Sequence, residues 1–331
     1  MRIVFFDVQK WEEKRLKIAF PNAKLTTESL TPENCQKYKK AQIISGFIYS
    51  DFSKNTLKSM SSLKYISTRS TGFDHIDLDY CQKKGIKVSN IPEYGSKTVA
   101  EFTFALILLI TKRLTESLQA TEKKQVDRFA LTGTELYKKT LGILGFGKIG
   151  RQVAAIAHGF GMKMLVFNRS HYPEFERKYN LKFCSLKEVL SKSDILTLHL
   201  PLNKETYHIL NEKTFSLCKK GMYLVNTARG GLIDSEALLC AVEKGIIRKA
   251  ALDVLEEEDD LKEEIEVLTG RVKKNINYKE LLLNHILIDH PRILITPHNA
   301  FNTRQALNRI TLITIKNINS FLKGSPINLV I

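Results

Sequence analysis

The chain has 331 residues, more than the roughly 100–200 residues of one domain, so its length favours two domains. Hydrophobic residues make up 43% and charged residues 26%, while 17 glycines and 8 prolines are too few for a collagen-like or low-complexity chain. The net charge of +16 favours anionic partners, but the basic residues are spread out rather than gathered in the block typical of nucleic-acid binding, so we expect no nucleic-acid partner.

Short apolar runs alternate with amphipathic segments along nearly the whole chain, a pattern typical of βαβ units around a parallel sheet. In the first hundred residues the strand-like runs are RIVFFD, AQIISGFI, KYISTRST and IKVSNIP. A long helix is predicted from Val99 to about Leu118. It is apolar nearly all round, so we expect it to be buried between elements or between subunits. Its longest apolar stretch, 102–110, is shorter than the ~20 residues of a membrane span, so we expect no membrane association.

Seven further strand-like runs begin at Thr140, with helical segments between them. We predict an α/β protein in which a doubly wound domain, residues 100–299, is inserted into a second α/β domain formed by residues 1–99 and 300–331. The five cysteines form no C-x-x-C motif and no even set for disulfides, and no histidine pair has the spacing of a zinc site. Reduced thiols, a cytoplasmic location and no metal are therefore expected.

Residues 145–150, GFGKIG, match the G-x-G-x-x-G pattern between a buried strand and an amphipathic helix. The first glycine allows a tight turn, the second lets a pyrophosphate approach the backbone, and the third lets helix and strand pack closely. Free N–H groups at the helix N-terminus then face the anion. The motif in this context predicts a dinucleotide-binding site at Gly145, Gly147 and Gly150.

The residue expected to bind the adenosine ribose follows the next strand, about 20 residues further on. Asn168 and Arg169 occupy this position, where an Asp would repel a 2′-phosphate. Neutral Asn168 and cationic Arg169 suggest that NADP(H) is accepted beside NAD(H). The alternative is that Arg169 is a solvated surface residue at an NAD site, and the sequence leaves both open.

Polar groups suited to reducing a 2-oxo acid follow three predicted strands. The reaction needs a cation for the carboxylate, a proton donor for the carbonyl oxygen and a group that keeps this donor protonated. Arg229 follows GMYLVNTA, His298 ends ILITPH, and the acidic run 256–260 follows ALDVL. Because ligands bind outside the carboxyl ends of parallel strands, we expect these groups at one edge of the sheet.

Several segments, in order, resemble the D-isomer-specific 2-hydroxyacid dehydrogenases: STRSTGFDHIDLDYC, NIPEYGSKTVAEF, LGILGFGKIG, LHLPLNKET, GMYLVNTARGGLID, AALDVLEEE and ITPHNAF. The resemblance implies a Rossmann dinucleotide-binding domain inserted into a flavodoxin-like substrate domain. It also implies that Arg229 anchors the substrate, that His298 is the general acid/base, and that Glu258, five residues after Asp253, is the carboxylate partner of His298. Glu256 is the alternative if the register slips.

The resemblance assigns further binding residues. Those on the cofactor side are Lys148, Ile149, Leu200, Pro201, Thr206, Thr227, Ala228 and Asp253. Those on the substrate side are Ser70, Thr71, Gly72, Tyr94 and Phe301, together with Arg229. The first three of these form a loop whose backbone N–H groups would hold the carboxylate.

Two features are closer to the D-lactate dehydrogenase branch of that family than to its glyoxylate, hydroxypyruvate or phosphoglycerate branches. Glu258 and His298 are 40 positions apart, and Asn-Ala-Phe follows the histidine. We therefore expect an NAD(P)-dependent reductase of pyruvate or a close 2-oxo acid. By analogy, we expect a homodimer across the buried helix after Val99. The alternatives are a glyoxylate or hydroxypyruvate reductase and a non-catalytic, NAD-sensing binding protein. Asn168, Phe102 and Asn302 depart from the family pattern.

Overall fold

The computed structural model describes residues 1–256 and 277–331, which form two compact units. The first unit comprises residues 1–95 and 302–331, and the second comprises residues 96–301. The boundaries predicted from the sequence, after residues 99 and 299, differ from these by four and two residues. The first difference arises because a helix begins at Ser96, so its first turn belongs with the second unit.

The first unit is built on a five-stranded parallel sheet in the order β2-β1-β3-β4-β5. Its strands are β1 (Ile3–Phe5), β2 (Lys24–Leu25), β3 (Ile43–Gly46), β4 (Tyr65–Thr68) and β5 (Lys87–Ser89). The α-helices within residues 1–95 are α1 (Lys10–Ala19), α2 (Lys54–Leu57) and α3 (Leu78–Lys83). This order, 2-1-3-4-5, is that of flavodoxin-like folds. The sequence predicted four of these strands and missed the two-residue edge strand β2.

The second unit is built on a seven-stranded parallel sheet. Its strands are β6 (Thr140–Leu144), β7 (Lys163–Phe167), β8 (Leu181–Phe183), β9 (Ile195–Leu198), β10 (Met222–Asn226), β11 (Ile247–Leu252) and β12 (Ile293–Ile295). The order β12-β11-β10-β9-β6-β7-β8 is the Rossmann order extended by one strand, with its switch point between β6 and β9. All seven strands were predicted from apolar runs, and the predicted fold class is confirmed.

Among its described residues the second unit has eight α-helices, most of which pack on the faces of this sheet. They are α4 (Ser96–Lys112), α5 (Leu114–Glu122), α6 (Lys148–Gly159), α7 (Pro173–Tyr179), α8 (Leu186–Lys192), α9 (Glu212–Phe215), α10 (Ser235–Glu243) and α11 (Tyr278–Asp289). The final helix, α12 (Arg304–Leu322), belongs to the first unit and begins at the N-cap Thr303.

The apolar helix predicted from Val99 to about Leu118 is two helices in the structure. Arg113 lies between α4 and α5 with a φ of 54°, in the left-handed region, which breaks the helix. In α4, Ala100, Leu106 and Ile107 are at most 1% exposed. The prediction that this segment is buried therefore holds for α4, whereas no residue of α5 is buried.

No helix among the described residues has the length and apolar character needed to cross a membrane. Within the same residues, no group of three or more His, Cys, Asp and Glu side chains could hold a metal ion.

Candidate active site

The loop between β6 and α6 has the packing that the glycine motif requires. Gly145 has a φ of 98°, and a Cβ there would lie 2.6 Å from the carbonyl oxygen of His199. A Cβ on Gly150 would lie 2.2 Å from the carbonyl oxygen of Gly145. Both positions therefore need glycine for close backbone packing at the switch point.

Gly147, the N-cap of α6, differs from these two glycines. A Cβ at this position would meet no protein atom within 4 Å, so protein packing does not explain the glycine. The residue stands where the N–H groups of the first helical turn, including those of Lys148 and Ile149, lack helical acceptors. This open helix N-terminus fits the pyrophosphate of a dinucleotide, which approaches such a backbone most closely at glycine.

The residues after β7 fill the position of the ribose-binding carboxylate. The Asn168 side chain accepts a hydrogen bond from the Phe146 N–H (3.0 Å) and donates one to the Ser170 carbonyl (2.7 Å). Its neutral amide is thus part of the phosphate-loop structure, and Arg169 is exposed beside it. The turn directly after β7, residues 168–170, therefore contains no carboxylate that would repel a phosphate group.

The residues that the resemblance assigns to the cofactor wall, among them Leu200, lie in the segment after β9, and this assignment stays a prediction. Thr206 donates a hydrogen bond from its hydroxyl to the Pro201 carbonyl (2.6 Å) and so closes the turn. His199 lies under this segment, with its Nε2 3.0 Å from the Thr197 hydroxyl. Burial lowers the pKa of His199 to about 3, so this imidazole is neutral and serves the structure.

Arg229 lies in a turn directly after β10, and Asn226 holds this turn. The fully buried Asn226 side chain donates to the Arg229 carbonyl (2.8 Å) and accepts from the Ala228 N–H (3.0 Å). Thr227, 8% exposed, lies between them, with its hydroxyl 2.9 Å from that of Thr103. Sequence reasoning missed Asn226, although a buried Asn at a strand end is a known signal for such a turn.

The turn of Arg229 packs closely against the end of β11. A Cβ on Gly230 would lie 2.0 Å from the Leu255 carbonyl oxygen, so no larger residue fits there. Asp253 in turn donates from its N–H to the Asn226 carbonyl (2.9 Å), and its own carbonyl accepts from the His298 N–H (2.9 Å). The strand ends that carry Arg229 and His298 are therefore joined through backbone hydrogen bonds at Asp253.

The Asp253 carboxylate, 1% exposed, holds the loop that carries His298. One oxygen accepts from the Thr296 hydroxyl (2.6 Å) and the Asn299 N–H (2.8 Å), and the other accepts from the Ala300 N–H (2.8 Å). Burial raises the pKa of Asp253, while these donors and the nearby imidazole of His298 oppose the shift. The assignment of Asp253 to the cofactor stays a prediction, and the structure adds this contact with the loop.

His298 adopts a φ of 50°, which only a few per cent of non-glycine residues do. Such strained backbone is kept where the surroundings fix it, and it clusters at functional sites. The Phe301 ring lies near the imidazole, with ring centroids 6.3 Å apart and planes at 80°. The loop therefore presents the imidazole beside an aromatic ring.

The acidic run after β11 is described only in part. Glu258, the predicted partner of His298, lies outside the described residues. Glu256, the alternative, is engaged elsewhere: its carboxylate contacts His208 Nε2 (2.8 and 3.0 Å) and accepts from the Tyr207 hydroxyl (2.9 Å). Sequence reasoning missed these contacts. Because the Glu256 carboxylate binds His208, the prediction that Glu258 is the carboxylate partner of His298 is kept.

In the first unit, the loop after β4 has an unusual hydrogen-bond pattern. The carbonyls of residues 70, 71 and 72 accept from Ile91 N–H (2.9 Å), Asn90 Nδ2 (2.7 Å) and the Ser70 hydroxyl (2.6 Å), respectively. The N–H groups of Ser70, Thr71 and Gly72 donate to no group within residues 1–256 and 277–331. Successive amides without acceptors, in a loop whose carbonyls are all occupied, are donors suited to an anion.

Tyr94, the other residue of the first unit assigned to the substrate, is half-buried. Its carbonyl accepts a hydrogen bond from Arg309 Nε (2.6 Å), which fixes the backbone of the segment after β5 to α12. Its substrate role stays a prediction.

The contacts of Asp253 lead to a testable expectation. In Asp253→Asn, one carboxylate oxygen becomes an NH₂ group that faces a donor, so we expect the free energy of unfolding to fall by about 1–3 kcal/mol and the turnover to fall with it. Urea unfolding and kcat measure the two effects. Thr296→Val, which removes a single donor, is the matched control with a loss of about 1 kcal/mol. An Asp253→Asn variant with wild-type urea midpoint and kcat would contradict the role.

Comparisons with known proteins agree with this geometry. The family described as "D-isomer specific 2-hydroxyacid dehydrogenase, NAD binding domain" matches residues 104–300. The D-lactate dehydrogenase of Escherichia coli is 33% identical over 89% of this chain and 88% of its own length. A glyoxylate reductase of Thermofilum pendens is 38% identical over 80% of this chain and 73% of its own. The crystal structure of D-lactate dehydrogenase from Aquifex aeolicus complexed with NAD and lactic acid matches with a TM-score of 0.89 and 38% identity, over 98% and 96% of the two chains.

Proposed function

Because the chain belongs to the D-isomer specific 2-hydroxyacid dehydrogenase family, an NAD-dependent family of oxidoreductases, we propose that it reduces pyruvate or a close 2-oxo acid to the D-2-hydroxy acid. The observation that carries the choice of pyruvate is the Phe301 ring beside His298. An apolar wall favours the pyruvate methyl group, whereas the hydroxyl of hydroxypyruvate would lose its hydrogen bonds there. The non-catalytic alternative is set aside, because the relatives are enzymes.

Residues of the second unit have separate roles in the proposed reduction. When bound, a reduced nicotinamide supplies a hydride to C2 of the oxo acid. Arg229 binds the carboxylate and polarises the carbonyl, since a guanidinium can donate two parallel hydrogen bonds. His298 gives its proton to the carbonyl oxygen, and Glu258 keeps the imidazole protonated. In the first unit, the three free amides of Ser70, Thr71 and Gly72 suit the negative charge of a carboxylate.

A substrate panel tests the proposal against its competitor, a glyoxylate or hydroxypyruvate reductase, which the 38% identity to a glyoxylate reductase favours. We expect kcat/KM for pyruvate to exceed that for hydroxypyruvate by about 10–150-fold. This is the usual effect on kcat/KM of adding or removing one small substrate group in an apolar pocket. Glyoxylate lacks the methyl group and should also be the poorer substrate. A higher kcat/KM for glyoxylate or hydroxypyruvate than for pyruvate would contradict the proposal and identify a glyoxylate or hydroxypyruvate reductase.

We further propose that the enzyme accepts NADP(H) in addition to NAD(H). The support is the neutral Asn168 side chain bound into the phosphate loop and the exposed Arg169 next to it. The competing reading is a surface arginine beside a site for NAD alone.

Arg169→Ala tests this proposal. The variant removes a charged hydrogen-bond donor, so kcat/KM for NADPH should fall about 10-fold or more while kcat/KM for NADH stays within about twofold. Asn168→Asp is the complementary variant: it keeps the acceptor for Phe146 N–H and adds the charge that repels a 2′-phosphate. A strong NADH preference that is unchanged in Arg169→Ala would end the hypothesis.

We propose a homodimer as well. The sequence assigned it to the helix after Val99, but the apolar side chains of α4 are largely buried within the second unit. The exposed apolar residues follow it: Leu118 is 65% exposed, Val126 56% and Phe129 92%. These three exposed apolar side chains lie within twelve residues of the sequence, and exposed apolar surface of this kind marks interaction sites.

Sedimentation tests the dimer. Wild-type protein should show about twice the chain mass of 37.8 kDa, and Leu118→Glu with Phe129→Glu should sediment as a monomer because two charges would be desolvated at the interface. A monomeric wild type would contradict the proposal. Leu322→Glu is the control, because Leu322 is an exposed leucine that lies in the first unit. This variant should keep the mass of the wild-type protein.

A further inference from the structure

A basic cavity lies in the second unit at the amino-terminal edge of the sheet, opposite the edge that carries Arg229 and His298. It has a volume of about 140 Å³ and is lined by residues that precede or begin four strands. Lys139 precedes β6, Asp194 precedes β9, Lys219 and Lys220 precede β10, and Arg248 is the second residue of β11. Four cations and one acid thus converge on a small space.

The single acid of this cavity is already neutralised. Asp194 binds the Lys219 ammonium with one oxygen (2.6 Å) and accepts the Thr140 N–H with the other (2.9 Å). Burial would raise the pKa of Asp194, but these hydrogen bonds and the lysine charges leave it lowered, so the carboxylate is ionised. Lys219 and Asp194 therefore cancel each other.

The other three cations of the cavity form no ion pair, although the charge of Asp194 also attracts Lys139. Lys139, Lys220 and Arg248 make no ion pair with any acidic group in the part of the chain that the structure describes. Some other surface cations of the same unit do pair, as Lys192 does with Glu188 and Lys279 with Glu236. Three like charges around one cavity repel each other, and a bound anion would relieve this repulsion.

The wall of the cavity is ordered. Tyr223 is 5% exposed, its hydroxyl lies 3.0 Å from the Thr134 hydroxyl, and the Arg248 guanidinium lies over its ring at 5.8 Å. One of the two hydroxyls donates to the other, so the second can donate to an acceptor oxygen. An arginine with two lysines and a hydroxyl is a donor set typical of phosphate recognition. The volume is below the ~300 Å³ of sites for larger ligands, which excludes a whole nucleotide.

We propose that this cavity binds a small phosphate-bearing anion, either inorganic phosphate or a small phosphate monoester, independently of the cofactor and substrate sites. Lys139, Lys220 and Arg248 supply the charge, and Thr134 and Tyr223 line the wall. The site is separate from the dehydrogenase chemistry, so its failure would leave the proposed function untouched.

Isothermal titration calorimetry of the full chain with inorganic phosphate, and in a second arm with glycerol 3-phosphate, tests the proposal. Saturating NADH blocks the phosphate loop, and sodium chloride of equal ionic strength gives the reference heat. Lys220→Gln/Arg248→Gln should weaken binding at least tenfold. Tighter binding in one arm identifies whether free phosphate or a monoester fits the cavity.

The matched control is Lys10→Gln/Lys14→Gln, which removes the same charge from the exposed face of α1 and should leave the affinity unchanged. Urea midpoints check that the variants fold, and Lys139→Gln is the second variant should the double one not fold. No phosphate heat beyond that of chloride, or an equal loss in the cavity and control variants, would overturn the proposal.

Discussion

Replacing His298 with Asn lowers turnover of the 2-oxo acid by about 10²–10⁴-fold, the usual contribution of general acid catalysis, while the cofactor still binds. Asn cannot give a proton to the carbonyl oxygen, so the loss falls on kcat. Asn is also among the residues that best tolerate a left-handed backbone, such as the φ of 50° at this position. The loop held by Asp253 should therefore keep its conformation in the variant.

Two measurements separate chemistry from folding in this variant. Steady-state kcat reports the proton transfer, and a fluorescence titration with the reduced cofactor reports binding. His158→Asn, on α6 and away from the strand ends, makes the same chemical change and should leave kcat unaltered. Near-wild-type turnover of His298→Asn would remove His298 from the mechanism.

Replacing Arg229 with Lys lowers kcat/KM for the 2-oxo acid by about 10²–10³-fold. Lysine keeps the charge but loses the two parallel hydrogen bonds of the guanidinium, and charged hydrogen bonds contribute about 1.5–3 kcal/mol each. The turn itself should persist, because Asn226 binds the backbone of residue 229 rather than its side chain. The dissociation constant of the cofactor should stay within about twofold.

Arg292→Lys is the matched control for this substitution. Arg292 is half-buried before β12 and pairs with Glu243, away from the strand ends that carry Arg229 and His298, so the change should leave kcat/KM as in the wild type. An unchanged KM and kcat in Arg229→Lys would mean that charge alone suffices and that the bidentate grip is absent.

The phosphate loop and its glycines could be predicted because they obey local rules. A strand, a G-x-G-x-x-G turn and a helix follow each other within about 20 residues, and Gly145 and Gly150 each have a steric reason within the fold. Arg229 and His298 could be located because both directly follow buried strands, and parallel strands bring their carboxyl ends to one edge. Periodicity and position were sufficient for these residues.

Other contacts depend on tertiary structure and left no local signal. Glu256 pairs with His208, 48 positions earlier, and a sequence pattern alone could not distinguish this pairing from one with His298. The binding of Asp253 to the 296–300 loop depends on β11 and β12 lying side by side. The end of α4 at Arg113 was missed because its apolar pattern continues into α5.

The most direct test of the account is the identity of the product from pyruvate. Purified wild-type protein with pyruvate and NADH, assayed again with NADPH, should oxidise one equivalent of cofactor per molecule of lactate, and chiral chromatography should show the D isomer alone. L-lactate, a racemic product, or no cofactor oxidation with any 2-oxo acid would contradict it.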